Sequence, residues 1–206
     1  MTAIDKRGLL AVVAVFAFSI LIESAAAGMA TEQIRSTVDQ ALLVLKDPRL
    51  RPPEKTQERR AQLKQVLFPR FDFTEMAKRA LGANWRQRTA QEQEEFVQLF
   101  TELLERSYAD IIETYTDQKI VYVGETQDGG YADVASKILT SNGVQYSLNY
   151  KAHLVNGEWR VYDVVAENIS VVNNFRSQFD RVIARSSYQE LVRRLRDKAA
   201  FAGPKK

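Results

Sequence analysis

Residues 156–183 read NGEWRVYDVVAENISVVNNFRSQFDRVI, and a change of period inside this stretch decides the fold. Asn156-Gly157 is a hairpin signal, because both central positions of a type I′ turn need positive φ. A strand follows, with Trp159, Val161 and Asp163 expected on one face and Arg160, Tyr162 and Val164 on the other. Past Glu167-Asn168 the spacing lengthens from two to about 3.6 residues. Ile169, Val172, Phe175, Phe179, Val182 and Ile183 then fall on one helical stripe. A strand leaving a hairpin therefore feeds an amphipathic helix whose apolar face must be covered.

Working back from there, three more strands are expected. They run over 118–125, 130–140 and 144–155, ahead of the one over 158–166. Asp128-Gly129-Gly130, Ser141-Asn142-Gly143 and Asn156-Gly157 separate them, which predicts an antiparallel meander. In the third strand Tyr146, Leu148, Tyr150, Ala152 and Leu154 alternate with Gln145, Ser147, Asn149, Lys151 and His153. One face is thus expected in the core and the other in solvent. Ala132, Val134 and Ile138 match the apolar set on the second strand.

The residues before the sheet read as helices. Thr31 is the expected cap of a helix with Ile34, Val38, Leu42 and Leu45 on one face, ending near Asp47-Pro48. A second helix is apolar at Leu63, Val66 and Leu67 and stops before Pro69. Asp72 with Glu75 opens a short helix carrying Met76, Ala77, Ala80 and Leu81, closed by Gly82, with Trp85 in the following loop. Thr89 and Glu92 form a capping box for the longest helix. Its stripe runs through Phe96, Leu99, Phe100, Leu103, Leu104, Tyr108, Ile111, Ile112 and Tyr115. After the Ile169 stripe, a last helix is capped by Ser187 with Glu190 and is apolar at Leu191, Val192 and Leu195. The fold class is therefore α+β, a four-stranded antiparallel sheet against helices.

With 206 residues, 45% hydrophobic and 27% charged, the chain has the composition of an ordinary globular protein rather than a disordered or many-span membrane one. The net charge of +3 comes from interleaved acids and bases, and no basic stripe for nucleic acid is present. Lys6 and Arg7, an apolar run from Leu9 to Ile22 and Ala25-Ala26-Ala27 have the three-part pattern of a secretory leader over residues 1–27. The run is shorter than the roughly 20 residues that span a bilayer. The chain has no Cys, so disulfides, thiol catalysis and thiolate metal sites are excluded.

The inventory also removes most catalysis. His153 is the one His and lies on the strand face expected in solvent, so neither a Ser-His-Asp triad nor a multi-His metal site can be assembled. No phosphate-binding glycine loop occurs. Asp163 is the single carboxylate that could act as a base, beside Trp159 and Val161. A hydrogen bond to backbone or to an Arg at the sheet end is the reading preferred for it.

An ordered set of motifs carries a resemblance. It comprises Phe71-Asp72-Phe73, Met76-Ala77, Leu81-Gly82, Trp85, Thr89, the Phe96/Phe100 pair, Gly157 with Trp159, Val161 and Asp163-Val164, and Asn173-Asn174-Phe175-Arg176-Ser177-Gln178-Phe179. Together these resemble the MlaC and toluene-tolerance family of periplasmic lipid-binding components of ABC-type transport systems, from about Thr31 to Lys198. Asn168, where a Gly often precedes the final long helix, and Arg185-Ser186-Ser187-Tyr188 resemble the branch associated with hopanoid lipids. The resemblance implies a nuclear-transport-factor-like sheet with added terminal helices, forming one lipid-binding domain over 28–202. Helices are expected over 31–116, the sheet over 118–166, helices over 169–200, and a tail over 203–206.

It also implies a periplasmic carrier for a phospholipid or hopanoid-type lipid, passing between an inner-membrane ABC transporter complex and an outer-membrane lipoprotein complex. Neither cofactor nor catalysis is expected. The alternatives are an isomerase-like enzyme using Asp163 and a Tyr in the same cone, and a module that binds a partner helix. Candidate acyl-chain contacts are Val134, Ile138, Leu148, Tyr150, Trp159 and Val161 on the sheet. The long helix adds Phe100, Leu104 and Tyr108, and the closing helix Val172, Phe175 and Phe179. Three apolar stripes converging would exceed what one tight core needs.

Overall fold

A computed structural model describes residues 28–114 and 118–197. The expected leader over 1–27 and tail over 203–206 lie outside the described residues. Four helices come first: α1 (Met29–Lys46), α2 (Thr56–Leu67), α3 (Phe73–Leu81) and α4 (Ala90–Glu113). Then come strands β1 (Lys119–Asp128), β2 (Tyr131–Leu139), β3 (Gln145–Val155), β4 (Glu158–Ala166) and β5 (Ile169–Ser170), and helices α5 (Val171–Arg185) and α6 (Tyr188–Arg196). The architecture is α+β, and the strands form one antiparallel sheet in the order β1-β2-β3-β4-β5.

The expected caps form where they are local. Thr89 and Glu92 make both bonds of the capping box, Asp72 Oδ1 accepts the Glu75 N–H at 2.8 Å, and Ser187 accepts that of Glu190 at 3.1 Å. Thr31 is not a cap. The first helix begins at Met29, and the Thr31 N–H and hydroxyl instead donate to Glu125 of β1 at 2.7 and 2.5 Å. Trp85 lies in a 3-10 turn over Gly82–Gln87.

The fifth strand adds to the four expected. Glu167 and Asn168 take φ of 47° and 63°, so the chain reverses tightly and Ile169 pairs with Ala166. Asn tolerates this left-handed conformation, which explains its presence where glycine also serves. Ile169 thus leaves the helical stripe it was assigned to and is 56% exposed. Ser170, the next residue, caps α5 by accepting the Asn173 N–H.

A register shift rearranges the faces of β4. Val161 lies opposite Ala152 while Asp163 lies opposite Lys151, which leaves Tyr162 as the extra residue of a bulge. Asp163 therefore points to the face opposite Trp159 and Val161, not alongside them as the alternation predicts. That second face is not solvated as expected either. His153 Nε2 sits 3.0 Å from Asp72 Oδ2, and its ring stacks on Tyr131 and meets the edge of Tyr162. The outer edge of β4 is closed by Phe71, which bridges Val161 in parallel, and by the Asp72 N–H donating to the Val161 carbonyl at 2.9 Å.

Candidate functional site

The buried apolar residues form three separate cores. The helical core packs α3, α4, α5 and α6 with Tyr162, and at its centre lie Phe96, Phe100, Phe175 and Phe179, all 0% exposed. Their rings meet edge-on at centroid distances of 5.5 and 5.7 Å. The sheet core joins Ala30 and Ile34 of α1 to Ala132, Val134, Tyr150, Ala152, Trp159 and Val161. The third core holds Ala41, Leu45 and Leu63 of α1 and α2, with Ile112 of α4 against it.

The twelve sequence candidates divide between these cores. Phe100, Leu104, Val172, Phe175 and Phe179 are buried in the helical core, and Tyr108 is partly buried against it. Val134, Tyr150, Trp159 and Val161 are buried in the sheet core, with Leu148 packed on its border. Ile138 is half-buried one register step further along β2. The three stripes therefore do not line one space together: the closing-helix stripe is spent on α4, ring against ring.

What the cores leave between them is more informative. Each pair of cores shares an element. On α1, Ile34 and Val38 belong with the sheet while Ala41, Leu42 and Leu45 belong with α2. On α4, Tyr108 lies against the helical core and Ile112, one turn on, against the third core. Phe71 touches both the helical and the sheet core. Partly buried side chains border these cores: Val38, Tyr122, Leu148 and Val164 the sheet core, Tyr108 the helical core and Ile112 the third.

The apolar face of the sheet grades from buried to exposed along the strands. Tyr150 and Val134 are buried, Leu148, Ile138 and Val164 half-buried, and Tyr146 is 46% exposed. Sequence reading did not select Val38, Tyr122, Val164 or Ile112 for the site. Tyr122 was findable from its place opposite Ser136 once register is known, but a lone strand pattern does not supply register.

Tyr108 carries the polar signal. Its hydroxyl is buried and has no hydrogen-bond partner among the described residues. Burial, with the nearby Asp163 carboxylate adding to it, pushes its pKa up to about 12, so it remains a neutral donor. Asp163 has both oxygens engaged: one accepts the Ser170 hydroxyl at 2.5 Å and the other the Val172 N–H at 3.0 Å. It acts as a clasp between β4 and α5, the role preferred for it over that of a base. No group of acids and His able to hold a metal occurs among the described residues, and no helix among them is long and apolar enough to cross a membrane.

Residues 35–197 match the family described as MlaC protein. The intermembrane phospholipid transport system binding protein MlaC of Haemophilus influenzae is 25% identical over 65% of this chain, and the match spans 65% of that relative, a little under two thirds of its length. Toluene tolerance protein ttg2D of Pseudomonas putida is 27% identical over 90% of this chain and 86% of its own length. A solved phospholipid-binding protein from Ralstonia solanacearum, determined in complex with a phospholipid, is 27% identical and superposes with a TM-score of 0.72 over 82% of this chain and 96% of that one.

Proposed function

This chain belongs to the MlaC family, and from that premise we propose that it is a non-catalytic carrier that buries the acyl chains of a phospholipid where its three cores meet. The observation that carries the reading is the grading of one sheet face from sealed at Val134 and Tyr150 to half-open at Leu148, Ile138 and Val164. A solid core would bury such side chains fully, since protein interiors pack like crystals. The phospholipid bound in the Ralstonia relative supports the same reading.

Energetics sets the design. At about 0.8 kcal/mol per methylene, two chains with some thirty methylenes between them gain roughly 24 kcal/mol on leaving water, and a bilayer supplies a similar sum. A carrier must match that value closely to extract as well as to deliver. A wall of aliphatic and Tyr side chains without clustered charge fits this requirement. Retention should depend on chain length more than on headgroup.

The finer reading is a periplasmic shuttle between an inner-membrane ABC transporter complex and an outer-membrane lipoprotein complex, exported by the leader over 1–27. Organic extraction of the purified protein followed by mass spectrometry tests the core of it. About one two-chain lipid per protein is expected, and the same spectrum separates a phospholipid from a hopanoid-type cargo. Protein that carries no lipid and acquires none from vesicles would overturn the reading.

A further inference from the structure

Tyr108 keeps a hydroxyl that the fold does not use. The oxygen is buried and meets no hydrogen-bond partner among the described residues. Arg88 and Arg160 also leave a buried Nε unbonded, but each guanidinium meets a carboxylate through another nitrogen. A tyrosine side chain has no second polar atom, so its one donor goes unmatched. An unmatched buried donor weakens a fold unless something else supplies the acceptor.

The surroundings decide which kind of acceptor fits. One turn before Tyr108 on α4, Leu104 is buried in the helical core, and one turn after it Ile112 packs against the third core. Tyr108 thus stands where this face of α4 passes from one core to the other, with an aliphatic side chain on either side. On β4, Asp163 is near enough for its charge to add to burial in raising the tyrosine's pKa. Both Asp163 oxygens are taken, by the Ser170 hydroxyl and the Val172 N–H. The aspartate therefore contributes its charge to Tyr108 but no bond. That charge disfavours an anionic acceptor such as a phosphate or a free fatty-acid carboxylate. A neutral carbonyl carries no such penalty.

We infer that the Tyr108 hydroxyl donates a hydrogen bond to an ester carbonyl of the bound lipid, and so sets how deep the acyl chains sit. The inference rests on the carrier reading and names the group of the cargo that is held. An ester carbonyl is the neutral acceptor that a phospholipid carries at the root of each chain, where contact with an apolar wall begins. A chain joined through an ether lacks it. A trapped water would also satisfy the donor, and lipids of the two linkages tell these partners apart.

Mature wild-type protein and Tyr108→Phe are incubated with vesicles holding equal parts of diacyl and dialkyl phosphatidylglycerol of one chain length. Both lipids are deuterated, so that lipid carried over from expression is not counted. Extraction and mass spectrometry give the ester-to-ether ratio on each protein. The two lipids partition differently into a bilayer, but that difference is common to both proteins and drops out of the comparison. The ratio should be about three- to tenfold higher on wild type than on Tyr108→Phe, the size of one net hydrogen bond. Equal ratios on the two proteins would overturn the inference and mark a trapped water as the partner. Melted free of lipid, the variant should match or exceed wild type, since no bond within the protein is lost. A fall of many degrees, or failure to fold, would show a partner inside the protein and overturn the inference as well. Wild type that loads neither lipid would defeat the carrier reading itself, whereas loading of both at the variant's ratio defeats only the role of Tyr108.

Discussion

Leu148 and Val161 lie on neighbouring strands of the sheet, opposite Ala166 and Ala152, and differ in what surrounds them. Val161 is 1% exposed within the sheet core, whereas Leu148 is half-buried at its border. A carboxylate at 161 would be buried without a partner, at a cost of several kcal/mol against a total stability of about 5 to 15. Val161→Glu is expected to unfold, seen as loss of the melting transition by circular dichroism. Leu148→Glu can be hydrated at the half-open border of the sheet core, so it should melt within a few degrees of wild type while losing its lipid. A Leu148→Glu protein that is folded and normally loaded would remove Leu148 from the site. Phe175 and Phe179, by contrast, answer to the aromatic packing of α4 rather than to cargo.

At the scale of elements, the clasp from Asp163 to Ser170 and Val172 fixes the angle at which α5 leaves the sheet. Asp163→Ala removes two hydrogen bonds, one of them buried and made to a helix N-terminus, and should cost about 2–4 kcal/mol. Lipid content per folded molecule should be unchanged, which equilibrium urea unfolding and extraction together check. Elements of this kind were legible in the sequence to different depths. The Thr89, Asp72 and Ser187 caps were readable because a cap involves residues within one turn. The bulge at Tyr162 was not, since it exists only in the pairing with β3, and it moved Asp163 to the other face. Periodicity likewise named the apolar stripes of α4 and α5 but not their partners. It therefore suggested one shared pocket where the rings of Phe100, Phe175 and Phe179 close on each other. His153 was misplaced for the same reason: its partner Asp72 is 81 residues away.

Across the whole molecule, an ion cluster joins α2 to the end of α4. Glu113 is held below the usual carboxylate range chiefly by the hydrogen bond from Arg60, with Arg59 adding to it. A depressed carboxylate stabilises the fold above its unfolded pKa, and that contribution is lost as pH falls through the folded value. The melting temperature should therefore drop below about pH 4.5, the ordinary value of a glutamate carboxyl. Glu113→Gln should cost about 1 kcal/mol at neutral pH and flatten the acid side of the profile. An unaltered profile would show that the cluster contributes nothing to acid stability. The attachment of α1 has a different consequence, one of timing. Its Thr31 bonds reach 94 residues ahead to Glu125, and its Gln33 side chain accepts the Trp159 N–H 126 residues on. A chain that emerges from a ribosome or a translocation pore leading end first presents this helix before any strand exists to receive it. The first element to appear is thus among the last to dock, and until β4 arrives the apolar row of Ile34 and Val38 is what a holding chaperone meets.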